Sequence, residues 1–339
     1  MQFRTMTAIL VSAALVVTPA FAQTAGNTGP AEKPALRGAP ATLPDATPMA
    51  PLKIDASALS RGPLGLDPAA ALESLGTETL NSDGSTESKP ASEGVRGAIE
   101  SAMQGSEQAM ADRVVVGPED RQQVMEATDY PTYDVGLLFM QAQDDSWSTC
   151  SGTVIGRFTV LTAAHCVYVH DKGGWVKNIM FAPGMTDPEQ TPYGVYEWNN
   201  VNILKGYIDN YDGTNYGSVL QWDLAVITMS EAVGDTVGWM GFRVDDGTDW
   251  KANIIGYPGD KPEGTMWKNS CTIKPDQFGD LAYWHECDTF AGSSGSSMYE
   301  DNAGDLYIRG INVAEDDKVN YGVRLIEPYY QFILDNRPE

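Results

Sequence analysis

A serine flanked by glycines near the C-terminal end of the chain is the first candidate for chemistry. In the stretch DTFAGSSGSSMY (288–299), Ser294 lies between Gly292 and Gly295, so the backbone can turn sharply and direct its N–H groups inward. The N–H groups of Gly292 and Ser294 would then stabilise a tetrahedral oxyanion. Clusters of glycine and serine are also ordinary turn sequence, so the assignment of Ser294 as a nucleophile depends on partners elsewhere in the chain.

A base for that serine must come from only three histidines. Serine hydrolysis needs a base that titrates near neutral pH, and histidine is the usual choice. His165 follows the apolar run VLTAA, where small residues leave room for the imidazole to face a cleft. His170, in YVHDKGG, is predicted to be solvated, and His285, in AYWHECD, fits either internal packing or a pocket wall. We therefore predict that His165 is the base.

The acid that would orient this histidine is predicted to be Asp223, at the head of the apolar run DLAVITM. Burial of a carboxylate there is costly unless a partner compensates; the alternative is an exposed aspartate at a strand edge. The order His165, Asp223, Ser294 excludes an α/β-hydrolase, which runs serine, acid, histidine and needs G-x-S-x-G, whereas position 296 is serine. The three residues predict a triad for acyl transfer.

The composition limits the partners of such a site. The chain has 339 residues, 42% of them hydrophobic, and carries 22 basic against 46 acidic residues, a net charge of −24. A sizeable core is therefore possible, and nucleic acid and anionic membrane surfaces are disfavoured as partners because both would be repelled.

The N-terminal residues predict export. A positive charge at Arg4, an apolar run over 8–17 and the sequence AFA at 20–22 match a signal peptide of residues 1–22; the alternative is a buried helix. The apolar run is too short to span a bilayer, so we expect a secreted protein, extracellular or periplasmic, without a membrane anchor.

Two regions follow the signal peptide. Residues 23–113 are rich in proline and alanine and are predicted to be a disordered pro-segment, with helical turns around 69–75 and 94–104; a passive linker or stalk is the alternative. Residues 114–339 contain short β-type runs separated by turn residues. This pattern predicts an all-β sandwich or barrel rather than βαβ units, ending in a helix at about 327–336.

Four cysteines, Cys150, Cys166, Cys271 and Cys287, lie in the β-rich region, and the first two and the last two are each sixteen residues apart. An even number in an exported protein favours disulfides, although four cysteines permit three connectivities. A metal site is the rival interpretation, but C-x-x-C spacing is missing. We predict one disulfide in each half of the body, with no metal or cofactor.

Together these motifs resemble the chymotrypsin-fold (trypsin-like) serine peptidases. The resemblance rests on TAAHC, the downstream D-L-A and the terminal G-S-S-G-S. The stretch CSGTVIG (150–156) resembles the strand whose cysteine pairs with the one after the histidine, which implies a Cys150–Cys166 bond beside Cys271–Cys287. VVVGPEDRQQV (114–124) resembles the mature N-terminus of the bacterial glutamyl endopeptidases, and Ser297 replaces the proline of their G-x-S-G-S-P.

The resemblance implies two six-stranded antiparallel β-barrels, at about 130–235 and about 236–326, with the cleft between them. His165 and Asp223 would come from the first barrel and Ser294 from the second. The expected protein is a monomeric serine endopeptidase that acts on protein or peptide substrates.

Residue preference before the scissile bond stays open between Glu/Asp and Arg/Lys. Thr289 matches the threonine of the glutamyl endopeptidases, but Asn312 stands where they have their glutamate-reading histidine. Asp288 and Glu315 are expected at or near the pocket, and an unpaired acid beside a substrate carboxylate is costly.

A cut between Arg113 and Val114 is predicted to activate a zymogen, because the composition changes there. Trypsin pairs its new N-terminus with an aspartate before the nucleophile, whereas this chain has Ser293. We expect the Val114 ammonium to lie near the pocket instead, beside Asp288 or Glu315. The alternatives to an endopeptidase are a catalytically silent binding or adhesion module and an acyl hydrolase with the same triad.

Overall fold

The computed structural model describes residues 24–25, 43–50, 52–55, 59, 62–103, 119–316 and 318–339. The predicted signal peptide at 1–22 and the predicted cut between Arg113 and Val114 lie outside these ranges. None of the helices within them is long and apolar enough to cross a membrane.

The described chain is mostly β-structure. Its strands, in chain order, are β1 (Thr24–Ala25), β2 (Thr47–Pro48), β3 (Leu52–Lys53), β4 (Thr77–Asn81), β5 (Thr86–Lys89), β6 (Gln122–Val124), β7 (Val135–Gln141), β8 (Trp147–Gly156), β9 (Thr159–Thr162), β10 (Tyr168–Val169), β11 (Gly174–Trp175), β12 (Asn178–Pro183), β13 (Tyr196–Leu204), β14 (Ala225–Met229), β15 (Gly241–Arg243), β16 (Trp250–Gly256), β17 (Met266–Ile273), β18 (Ala282–His285), β19 (Ser297–Asn302), β20 (Asp305–Glu315) and β21 (Asn320–Arg324). Its α-helices are α1 (Pro68–Ser74), α2 (Glu93–Ala102), α3 (Ala164–Val167), α4 (Lys205–Asp209), α5 (Val233–Val237) and α6 (Glu327–Asp335).

The first barrel is a closed antiparallel sheet of six strands in the order β12-β7-β8-β9-β14-β13, closed by the pairing of β13 with β12. Most of its strand residues are buried, and β14 is buried at every position, because inward side chains fill the barrel and the outer face is covered by neighbouring segments. A closed six-stranded antiparallel barrel, as predicted for this part of the chain, is confirmed.

The second predicted barrel, for which we keep that name, is an open sheet of ten strands whose six central strands have the order β17-β16-β19-β20-β21-β18. Within the described residues, β18 and β17 are not joined by a ladder. A disulfide between Cys271 in β17 and Cys287 beyond β18 spans this seam, and Asn269 Nδ2 donates to the Asp288 carbonyl at 2.7 Å. The other disulfide joins Cys150 to Cys166 in the first barrel, so the predicted pairing is confirmed.

The described residues 62–103 of the N-terminal segment have secondary structure, whereas the composition predicted disorder. Residues 62–103 form α1, a β4–β5 hairpin and α2, with helices where the sequence predicted helical turns. Strand β4 adds to the edge of the first barrel by pairing with β13, and α2 packs against α6. A segment poor in apolar residues can fold here because the peptidase body supplies the surface that it lacks.

The terminal helix α6 confirms the helix predicted at about 327–336. Its apolar side chains, including Tyr329 and Phe332, are buried, and Tyr329 Oη donates to the Gln221 carbonyl at 2.5 Å. Because Gln221 lies two residues before Asp223, α6 supports the loop that carries this acid.

Candidate active site

His165 and Asp223 lie together at the inner end of the first barrel. His165 is in α3, directly after β9, and Asp223 ends a short helical turn before β14. His165 Nδ1 is 2.7 Å from Asp223 Oδ2, and the His165 backbone N–H donates to Asp223 Oδ1 at 2.8 Å. Both oxygens of a completely buried carboxylate are thus bonded to one residue, which compensates its desolvation and fixes the hydrogen on Nδ1.

Ser294 lies in the loop before β19, and this loop is held against the first barrel. Ser151 N donates to the Ser294 carbonyl at 2.8 Å. Gly295 has φ +81°, and a Cβ there would lie 2.1 Å from Thr162 Oγ1. Only glycine fits this contact, which brings the loop to the end of β9, three residues before His165.

His165 Nε2, the second ring nitrogen, is buried and has no hydrogen-bond partner in the described part of the chain. The Ser294 side chain is equally enclosed: Ser294 is 3% exposed and His165 is 2% exposed. A hydrogen bond between nucleophile and base is often loose before substrate binds, so a free Nε2 is the arrangement expected of a resting site.

The Gly292 N–H, a predicted oxyanion donor, is already bonded in this structure. It donates to the carbonyl of Met49, from the N-terminal segment, at 3.1 Å. No sequence feature predicted this contact, since Met49 lies in a proline-rich stretch without catalytic residue types.

The residues predicted near the pocket have separate partners. Asp288 Oδ2 accepts from Asp120 N at 3.0 Å, and burial raises the pKa of this half-buried carboxyl. Glu315 pairs with Lys53 Nζ at 2.5 Å. Thr289 is half-buried beside Asp288, and Val114 lies outside the described residues.

Asn312 is buried behind the nucleophile loop. Its Nδ2 donates to the Ser293 carbonyl at 3.2 Å, and its Oδ1 lies 3.1 Å from His285 Nε2. Burial lowers the pKa of His285 to about 4. The neutral ring therefore donates its Nε2–H to Asn312 Oδ1 and fixes the position of the Asn312 side chain. Of the two roles predicted for His285, internal packing and a pocket wall, its complete burial agrees with internal packing.

His170 is half-buried rather than fully solvated as predicted. Its ring stacks on Tyr211 with centroids 4.0 Å apart, and Nε2 lies 3.1 Å from the Tyr207 carbonyl. Burial lowers its pKa. Tyr207, Tyr211 and Tyr216, which pack around this ring, are distant from it in sequence, so its local polar context led to the wrong expectation.

Two histidine–cysteine clusters occur among the described residues. One consists of Cys150, His165 and Cys166, and the other of Cys271, His285 and Cys287. All four sulfurs are in disulfides, so each cluster offers only one imidazole to a metal ion.

Comparison with known proteins identifies the family to which the chain is similar. The model of the trypsin family matches residues 132–323. The chain is 30% identical over 226 residues to an extracellular metalloprotease of Bacillus subtilis, covering 62% of this chain and 69% of that protein. It is 32% identical over 191 residues to a glutamyl endopeptidase of Bacillus licheniformis, covering 56% of this chain and 55% of that protein.

A solved structure of a Glu endopeptidase in complex with MPD has a TM-score of 0.56 and 27% identity, over 66% of this chain and 98% of that one. The family match spans more than half of the chain. The chain therefore belongs to the trypsin family, near its glutamyl endopeptidase branch, and is a serine endopeptidase that hydrolyses peptide bonds.

Proposed function

We propose that His165, Asp223 and Ser294 are the catalytic triad. The observation that carries this assignment is the two-point contact of Asp223 with His165, through Nδ1 and through the backbone N–H. It holds the ring with Nε2 unprotonated and free to accept a proton.

In the first half of the reaction, Ser294 Oγ attacks the peptide carbonyl carbon while His165 Nε2 takes the hydroxyl proton. Asp223 stabilises the imidazolium through Nδ1–H, and the N–H groups of Gly292 and Ser294 bind the oxyanion. The intermediate collapses to an acyl-enzyme as Nε2–H protonates the departing amine. Water then attacks the ester by the same proton path, and Ser294 regains its proton.

Substitution of the three residues tests the triad. Ser294→Ala, His165→Ala and Asp223→Asn should each lower kcat by about 10⁴-fold or more, with circular dichroism unchanged. Ser296→Ala is the matched control, because Ser296 is buried two residues along the same loop and should keep its activity. If Ser294→Ala retained most of its peptidase activity, another group would be the nucleophile.

Two probes distinguish a serine endopeptidase from the two alternative functions, a silent binding module and an acyl hydrolase. A catalytically silent binding module would not react with a fluorophosphonate, whereas a serine hydrolase is labelled on Ser294. An acyl hydrolase restricted to esters would be labelled but would leave denatured casein intact. We expect both labelling and casein cleavage from the processed protein.

We further propose that the protein is exported and is made as a zymogen that is cut between Arg113 and Val114. Support for export comes from the signal-like residues 1–22 and from the Bacillus subtilis relative, whose name describes it as extracellular. Sequencing the N-terminus of a Ser294→Ala precursor expressed alone decides how the cut is made. An intact Arg113–Val114 bond would support self-processing, and clean processing would require another protease.

Asp288 is the acid that we propose for the new Val114 ammonium. Asp288 Oδ2 accepts from Asp120 N at 3.0 Å, six residues after Val114, and burial raises the pKa of Asp288, so a cation beside this carboxylate would stabilise its charged form. With that cation in place, Thr289 and Val114 can hold a glutamate side chain of the substrate. Without it, the acids favour arginine or lysine, and a peptide-library cleavage profile distinguishes the two preferences.

A further inference from the structure

Part of the N-terminal segment, here called the strap (residues 47–50 and 52–55), crosses from one barrel to the other. At one end, β2 pairs with β8 of the first barrel, and Met49 N donates to the Thr149 carbonyl at 2.9 Å. At the other end, β3 pairs with β20 of the second barrel, and Ile54 N donates to the Glu315 carbonyl at 3.2 Å. The strap therefore bridges the cleft between the barrels.

Between these two ends the strap forms a hydrogen bond with the Gly292 N–H, which is one of the two proposed oxyanion donors. The Met49 carbonyl accepts the Gly292 N–H at 3.1 Å, two residues before Ser294. Pro48 approaches Gly259 so closely that a Cβ at Gly259 would lie 2.4 Å from Pro48 Cβ. One N–H cannot serve both Met49 and the oxyanion of a substrate.

The strap also forms an ion pair with Glu315, which the sequence analysis predicted at or near the substrate pocket. Lys53 Nζ pairs with Glu315 Oε1 at 2.5 Å, and Asp55 N donates to Asn215 Oδ1 at 3.3 Å. Prolines at positions 44, 48 and 51 bias the residues before them towards extended backbone, so the strap can lie along two strand edges as an added strand.

We propose that the strap is a built-in occupant of the substrate cleft that keeps the uncut chain inactive. Ser294 and His165 are only 3% and 2% exposed with the strap in place, and a substrate must reach both residues. This proposal rests on the catalytic function proposed above, and it names the contacts that would suppress peptidase activity in the uncut chain.

A second part of the segment, here called the anchor (residues 62–103), holds the strap near the cleft. Strand β4 of the anchor pairs with β13 over five residue pairs. Ser92 Oγ, at the start of α2, donates to Asp335 Oδ2 of α6 at 2.5 Å, and Lys205 Nζ pairs with Glu73 at 3.0 Å.

The position of the anchor has a consequence for activation. The proposed cut after Arg113 lies C-terminal to both strap and anchor, so cutting this bond alone leaves both attached to the peptidase by non-covalent contacts. Full activity then requires a second step, in which the anchor and strap dissociate or are degraded. A cut complex isolated by gel filtration should still contain the N-terminal fragment and react slowly with a fluorophosphonate.

The rate of fluorophosphonate labelling of the full chain tests the strap, with Arg113→Ala added to prevent the cut. Met49→Pro removes the N–H that bonds Thr149 and is compared with Met49→Leu, which keeps it. Lys53→Glu places two acids together and is compared with Lys89→Glu, because the side chains of both lysines are 63% exposed and Lys89 pairs within the anchor. Each strap variant should label about three- to tenfold faster than its control, and Lys89→Glu should label at the slow rate of the unaltered chain.

Three results would overturn the strap proposal. In the first, the uncut chain labels as fast as processed, strap-free protein. In the second, neither Met49→Pro nor Lys53→Glu labels faster than its control. In the third, a new N-terminus appears at Ala50, which would make the strap a substrate rather than an occupant. By contrast, failure of processed protein to label at all would refute the proposed catalytic function instead.

Discussion

Acidification should destabilise the folded protein through one buried histidine. His285 is completely buried in β18, and burial lowers its pKa from the ordinary 6.5 to about 4. The unfolded chain therefore binds a proton at His285 below pH 6.5, whereas the folded chain binds it only below about pH 4. The free energy of unfolding consequently falls as the pH drops from 6.5 to about 4 and loses no more through this group below that.

The size of this effect follows from the two pKa values. Their difference is about 2.5 pH units (6.5 minus about 4), and each unit corresponds to about 1.4 kcal/mol. His285 alone should therefore remove about 3 kcal/mol of stability across this range. That is a large fraction of the roughly 5–15 kcal/mol that holds a typical domain folded.

Urea unfolding at several pH values from 7.5 to 4 measures this loss in a Ser294→Ala background, where self-digestion is prevented. His285→Gln keeps an N–H donor for Asn312 but does not titrate, so its unfolding free energy should depend on pH less steeply, by ~2–3 kcal/mol over the range. His170→Gln is the control and should change the dependence less, since His170 is only half-buried. Equal pH dependence of His285→Gln and its parent, within about 0.5 kcal/mol, would refute the buried neutral histidine.

Three further predictions concern the framework around the site. Replacing Cys271 and Cys287 by alanine should cost about 3 kcal/mol and raise hydrogen exchange in β17 and β18, where the disulfide spans the open seam; unchanged exchange there would contradict that role. Arg309→Met, which removes a completely buried partner of Asp245, should cost about 3–5 kcal/mol in urea unfolding. Arg157→Met, at an exposed pair with Asp235, should cost far less, because solvent screens that pair. Asp134 has both carboxyl oxygens buried without a partner in the described residues, and burial raises its pKa. The folded state thus binds the carboxyl proton of Asp134 more tightly than the unfolded chain does, so stability falls as the pH rises above the ordinary pKa of Asp. Asp134→Asn should therefore be more stable than the parent at pH 8 but not at pH 4.

Much of the fold could be predicted because it depends on local patterns. Short apolar runs between turn residues predicted an all-β sandwich or barrel, the family resemblance implied two barrels, and the tail sequence predicted α6. The spacing of the cysteines, together with the family resemblance, predicted both disulfides. The histidine in TAAHC and the acid before an apolar strand could be paired from chemistry alone, since a buried carboxylate needs a partner, and the structure brings them to 2.7 Å.

Contacts between distant segments were beyond this reasoning. Composition predicted disorder for residues 23–113 because a segment with few apolar residues cannot bury enough surface by itself. The tertiary structure supplies that surface: β13 receives β4, α6 receives α2, and the two edges of the cleft receive the strap. The amino-acid sequence by itself therefore determined the residues that we propose for the chemistry and the β-rich body that surrounds them. Only the tertiary structure decided that Met49 and Lys53 occupy the cleft, because pairing at an open strand edge uses backbone groups that every residue has.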